Sequence, residues 1–212
     1  MELPLLSDPP SFLWELFNSS TPEANDLRKN IRAYNQLFAF TSCGVNLQEL
    51  PGGVNSFRIQ GTAHHRIGSL LPPQGETPKF LQMYVYDGDA RAIRVNLLDG
   101  LSRRMVEKLT DMMHAVNPFA RLFKMASERE NVQELAMILQ EPVNLDRRRY
   151  NLPVSNELAL ILPNGENVEA SSRDIVIFGR GDRLQRINEM SPMCDPLHFP
   201  LLFPSGDYGF QI

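Results

Sequence analysis

The stretch from Asp99 to Pro118, DGLSRRMVEKLTDMMHAVNP, constrains the fold more than any other. Leu101, Met105, Leu109, Met112 and Val116 recur at three- and four-residue spacing and make one apolar stripe on a helix of about 100–116. Asp99 is placed to cap its start, and Pro118 stops it. Such a stripe must be buried against other apolar elements, and a chain of 212 residues is long enough to supply them. Asn117-Pro118 then restarts a helix that carries Phe119, Leu122 and Phe123.

The first 45 residues read as a helical layer. SFLWELFN follows two prolines, with Ser11 as a candidate N-cap. TPEANDLRKNIRAYNQLFAF reads as one helix of about five turns, capped by Thr21, with Pro22 at its first position and Leu27, Ile31, Tyr34, Leu37 and Phe38 on its apolar face. The next segment, TSCGVNLQELPGGVN, is polar and rich in glycine and reads as a loop.

Strands are expected after it. SFRIQGTAH alternates, while PKFLQMYVYD is apolar on both faces and reads as a central strand. DGDA offers a hairpin turn from it into RAIRVNL. ELAMIL, NELALILP and RDIVIFG supply three more short strands. The expected class is α+β: a helical layer over 1–45, then an α+β domain over 46–190 with a small antiparallel sheet or an OB-like, partly open barrel. The tail, 191–212, has four prolines, three of them after Asp195 among large apolar side chains. It reads as an extended docking segment rather than a helix, with Leu197, Phe199, Leu201, Leu202 and Phe203 as its contacts.

Net charge is −4, so any contact with nucleic acid must come from local patches. Two cysteines, Cys43 and Cys194, exclude a disulfide framework or a four-cysteine zinc site and fit a reducing compartment. No apolar run approaches the roughly 20 residues of a membrane span, and the first ten residues lack the basic start of a secretory signal.

The adjacent pair His64-His65 raises metal-dependent nuclease chemistry. Two histidines that grip one cation from a strand must sit two residues apart, because adjacent side chains point to opposite faces. His64 and His65 are therefore not read as a metal site, and His114 and His198 stand alone in the sequence. A glycine-rich phosphate loop ending in Gly-Lys is absent from the sequence. The alternatives left open for His65 are a hydrogen bond to a neighbouring loop or, with Arg66, contact with a DNA backbone.

Three basic groups are candidates for phosphate contact. Arg147, Arg148 and Arg149 precede Tyr150, a stacking platform for a single strand if it is exposed. Arg103, Arg104 and Lys108 lie in the first turns of the 100–116 helix, with Arg91 and Arg94 just before it. Arg173, Arg180, Arg183 and Arg186 form the third group. Against each stands a solvated surface whose cations pair with local acids. Tyr84 and Tyr86, on one face of the expected central strand, could stack bases, or both could pack the core, as an apolar opposite face suggests.

Six blocks occur in a characteristic order: IRAYNQLFAFTSCGVN, FRIQGTAHHRIGSLLP, TPKFLQMYVYD, RRYNLPVSNELALILP, SRDIVI and DPLHFPLLFPSGDYGF. Together they resemble the region of Helitron transposases, the Rep/helicase proteins of rolling-circle transposons, that precedes the nuclease domain. In that family the second block reads close to HRIGSLLP, which His65, Arg66, Gly68 and Ser69 match. The resemblance implies a two-histidine (HUH) metal motif, tyrosine nucleophiles and a superfamily 1 helicase lying downstream of this segment. It implies that this segment is not itself an enzyme, uses no cofactor and works in the nucleus. Its expected partners are single-stranded or transposon-end DNA and the downstream nuclease and helicase domains. The alternatives are an interdomain scaffold without DNA contact and a remnant of a degenerate element.

Overall fold

The computed structural model describes residues 8–49, 57–86, 90–97, 100–140, 159–162, 174–181, 184–188 and 191–209. Over these residues the fold is α+β. It opens with three eight-residue helices, α1 (Ser11–Asn18), α2 (Pro22–Lys29) and α3 (Ile31–Phe38). Pro10 rather than Ser11 holds the N-cap position of α1, with no side-chain cap. Thr21 caps α2, its Oγ1 accepting from the Ala24 amide at 3.2 Å. Arg28 donates to the carbonyls of Leu16 and Ser19 at 2.8 and 2.7 Å, which satisfies the end of α1.

The single five-turn helix expected here is broken at Asn30, where φ is −111° and ψ 19°. The Asp26 carboxylate bridges the break, accepting from Asn30 Nδ2 and from the Tyr34 hydroxyl. Burial and the Asp26 carboxylate push the Tyr34 phenol well above its usual range.

The polar segment expected to be a loop forms strand β1 (Ser42–Glu49), which pairs antiparallel with β2 (Phe57–Ile67), with a register shift between Gly44 and Asn46. Main-chain pairing with β2 gives this polar stretch its conformation.

The central strand expected over 78–87 and its partner over 91–97 give helices instead, α4 (Gln82–Val85) and α5 (Ala90–Leu97), while 87–89 of the expected turn lie outside the described residues. Phe80 takes the left-handed conformation, φ 53°, and turns the chain into α4. Met83, Tyr84 and Val85 are all buried there. Tyr84 stacks on Phe40 at 4.6 Å and donates from its hydroxyl to the Phe38 carbonyl at 2.8 Å. Arg94 of α5 is fully buried, its guanidinium 4.4 Å above the Tyr84 ring and 5.2 Å from that of Phe38.

Helix α6 (Arg103–Val116) follows, capped by Ser102, whose Oγ accepts from the Met105 amide; Asp99, the expected cap, lies outside the described residues. Met105, Leu109 and Met112 are buried as expected. Asn117 caps α7 (Pro118–Ser127) through Oδ1, at 3.0 Å from the Ala120 amide.

Strand β3 (Ala136–Leu139), buried at all four positions, lies between β4 (Ala159–Leu162) and β5 (Ile175–Phe178), all antiparallel. A two-residue strand, β6 (Gln185–Arg186), adds to β2. The two three-stranded sheets meet where the Leu70 and Leu71 amides donate to the carbonyls of Phe178 and Gly179, at 2.8 and 2.9 Å. The described strands do not close into the expected OB-like barrel: the sheets remain separate and open.

The tail is not fully extended. Cys194–His198 forms a one-turn helix, α8. Pro196 is accommodated because it lies in the first turn, where its missing N–H has no helical partner to lose. Met193, Leu197, Leu201 and Tyr208 are buried in the common core with Phe40, Phe119 and Phe123. Among the described residues no helix is long and apolar enough to cross a membrane.

Candidate functional site

Strand β2 carries its sequence motif to the meeting point of three segments. The Phe40 amide donates to the Leu197 carbonyl at 2.8 Å, which brings the tail beside the start of β1. The His65 ring then packs against that of His198, with centroids 4.2 Å apart, and His198 in turn meets Phe199 edge-on at 4.4 Å. His198 Nδ1 lies 3.3 Å from the Thr41 hydroxyl. Burial, followed by the neighbouring His65, pushes His198 down to about 4. Both rings are thus engaged within the chain, joining β2 to the tail. The His64 side chain is outside the described residues. Among those described, no cluster of three or more His, Cys, Asp or Glu could hold a metal ion.

Arg66, next to His65, faces β6. It pairs directly with Arg186 across the antiparallel ladder, while Ile67 pairs with Gln185. Directly opposed residues place their side chains on the same face of a sheet. Farther along the same segment, Leu70 and Leu71 bond to Phe178 and Gly179, which puts exposed Phe178 and Arg180 beside it. Leu184 Cδ2 would be 3.5 Å from a Cβ at Gly68, so an exposed leucine covers the strip between them. Arg66 and Arg186 thus form a short arginine strip across β2 and β6, 120 residues apart in sequence, and the same chain segment runs on to bond the main chain of Phe178 and Gly179. Phe178 was not singled out in the sequence, where IVIF reads simply as an apolar strand.

The other basic groups fare differently. Arg103 pairs with Glu107 at 3.1 Å, and Arg104 and Lys108 both reach Glu23 of α2, at 3.3 and 3.7 Å. Lys108 also lies over the Phe12 ring, 5.6 Å from its centroid. Arg104 and Lys108 thus link α6 to the first helical layer, while the Arg103 pair stays within α6. Arg94 is in the core, apart from any surface group. Tyr84 is buried too, its phenol pushed up to about 12 by desolvation, with the Arg94 charge opposing the shift. Arg147, Arg148, Arg149 and Tyr150 lie outside the described residues, as do Arg173 and Arg183.

A cavity of about 640 Å³ opens between α1, α3 and the tail. Phe17, Ile31, Phe80, Phe199, Leu201 and Leu202 give it apolar walls, and Arg32 stands among its lining residues as a cation. Asn35 fixes one wall from both ends of its amide: Nδ2 donates to the His198 carbonyl at 3.0 Å and Oδ1 accepts from the Leu201 amide at 3.2 Å. Of the five tail residues expected to dock, Leu197 and Leu201 are buried in the chain's own core. Phe203 is half-buried, and Phe199 and Leu202 face solvent at 40 % and 65 % exposure.

Compared with known proteins, the chain matches no family model and no curated protein sequence. The geometry therefore carries the functional reading together with the sequence blocks.

Proposed function

We propose that this chain is a non-catalytic, DNA-contacting module of a Helitron-type rolling-circle transposase, acting in the nucleus. The observation that carries the reading is the opposition of Arg66 and Arg186 across β2 and β6; exposed Phe178 and Arg180 follow where the segment after β2 bonds to β5. Two guanidinium groups on one face of a sheet suit forked contacts with phosphate oxygens. An exposed ring beside arginines suits an unpaired base, which favours single-stranded DNA. In the Helitron-like reading, strand cleavage and ATP hydrolysis belong to the downstream nuclease and helicase domains. The isolated chain is expected to do neither when incubated with labelled DNA, manganese and ATP. Metal-dependent cleavage lost in His64→Ala would reverse that assignment.

The test of DNA contact is fluorescence anisotropy with a labelled oligothymidylate over a series of salt concentrations. Arg66→Ala with Arg186→Ala should weaken binding and reduce the salt slope by about 1.4, since each phosphate contact to a single strand contributes roughly 0.7. Arg147→Ala, Arg148→Ala and Arg149→Ala together test the run before Tyr150 in the same way. An unchanged affinity and slope in both variants would leave the module without DNA contact.

A scaffold role is the second reading. Phe199 and Leu202 favour it, because large apolar side chains held in solvent beside a cavity are suited to a protein partner.

A further inference from the structure

The groove between α1, α3 and the tail is independent of the arginine strip and of any DNA contact. Its walls are preformed. Asn35 holds the tail main chain on one side. Farther along the tail, Gly206, at φ +72°, packs so close to Pro118 that a Cβ there would sit 2.6 Å from the proline ring. The rim is apolar and exposed: Phe17 at 47 %, Phe199 at 40 % and Leu202 at 65 %. Trp14, at 60 %, lies one turn from Phe17 on α1 and extends the apolar surface beyond the cavity. An exposed apolar surface that continues past the cavity along α1 suits a segment of protein rather than a ligand confined to the cavity.

Charge narrows the occupant. Among the described residues no carboxylate lines the groove, although the chain as a whole is acidic. Arg32 lines it as an exposed cation and makes no ion pair among the described residues. The walls come mostly from α1, α3 and the tail turn, with Ser42 at the start of β1, so the groove offers side-chain pockets rather than a strand edge for added pairing.

We propose that this groove docks an amphipathic helix of a partner protein, with leucine-like side chains seated between Phe17, Phe199 and Leu202 and an acidic side chain meeting Arg32. The partner's apolar anchors supply affinity, and the carboxylate fixes the direction in which the helix lies.

The test uses the full chain, labelled with 15N, and a fluorescein-tagged 16-residue helical peptide with leucines at i, i+3, i+4 and i+7 flanked by glutamates. A second peptide carries lysines in place of the glutamates. The acidic peptide is expected to bind and to shift amide resonances of Ile31–Ala39 and of residues 198–202. Leu202→Asp, at a surface position that leaves the core untouched, should weaken it about tenfold or more. Arg32→Glu should weaken it by up to about fivefold, the range of a solvent-facing ion pair, and strengthen the lysine peptide in return. Failure of both peptides to bind, or equal binding of both to Arg32→Glu, would overturn the proposal. So would displacement of the acidic peptide by oligothymidylate, which would assign the groove to nucleic acid. Loss of the arginine-strip effect on DNA leaves these outcomes unaffected, so the two readings fail separately.

Discussion

The rings of His65 and His198, 133 residues apart in sequence, lie with their centroids 4.2 Å apart and join strand β2 to the one-turn helix of the tail. Two imidazoles in van der Waals reach tolerate one another when at least one is neutral. Protonating both sets positive charges against each other at the seam that holds the tail.

Stability should therefore depend on pH at this seam. His198 is held at about 4 in the folded chain against an ordinary value near 6.5. The unfolded chain then binds more protons between these values, so stability is full above about 6.5 and falls as pH drops toward 4. One proton contributes at most about 1.4 kcal/mol per pH unit, and solvent at the half-buried ring reduces that. Thermal unfolding from pH 8 to pH 4 should show a smaller acid slope in His198→Gln than in the parent. Identical slopes would place the titration elsewhere.

Removing the tail should unfold the domain. Truncation after Asn188 deletes Met193, Leu197, Leu201 and Tyr208 from the core and both bonds made by Asn35. Each buried apolar side chain is worth roughly 1.5–3 kcal/mol, so the total approaches the stability of a typical domain. The sequence suggests a detachable segment; the structure leads to the opposite expectation. Circular dichroism of the truncated chain decides between them, and a cooperative melt at an unchanged temperature would restore the detachable tail.

Gly179 is expected to tolerate no side chain. A Cβ there would lie 2.7 Å from the Gln133 carbonyl carbon and still closer to the Val132 oxygen, both main-chain atoms with little room to move. The same residue donates to Leu135 and accepts from Leu71, so it fastens one sheet to the other. Gly179→Ala should cost about 1–3 kcal/mol or more in urea unfolding, the range for overpacking. A change below about 0.5 kcal/mol would show that the loop before β3 yields easily.

Glu23 should act as a brake on the α6 cations. In Glu23→Gln, Arg104 and Lys108 lose the carboxylate that they share at 3.3 and 3.7 Å. Stability should change by less than about 1 kcal/mol, as for exposed ion pairs. If α6 touches DNA at all, affinity for an oligothymidylate should rise in low salt; constant affinity restricts DNA contact to other groups.

Local chemistry made much of this fold legible. Thr21 before Pro22, and Asn117 before Pro118, are capping signals read from adjacent residues, and both helices start there. The stripe of α6 is equally visible because fourteen residues sample the helical period several times. The segment 79–97 misleads for the opposite reason. Four residues of α4 are too few to reveal a period, and Met83, Tyr84 and Val85 are buried on every side. Arg94 looks like part of a surface cluster because nothing near it in sequence shows that Tyr84 and Phe38 enclose it. Strand β1 takes its shape from its partner β2, which a polar sequence does not announce.

The candidate sites divide in the same way. Arg66 and Arg186 can each be noticed as arginines, but their opposition depends on a register set by distant pairing. The groove escapes the sequence altogether, since its walls come from α1, α3 and the tail.

The amide of Asn35 sets a timetable for the chain. Its two partners, at His198 and Leu201, are synthesised 163 and 166 residues after it. At translation rates of about 5–20 residues per second, the first helices wait roughly 8–30 s for them. During that interval α3 has formed its turns while the wall that should cover it does not yet exist. Phe40 already has Tyr84, Phe119 and Phe123 against its ring by then, but its main chain waits for the Leu197 carbonyl and the core stays without Leu197 and Leu201. A nascent chain of this kind is a natural client for a holding chaperone, and slow translation lengthens its exposure.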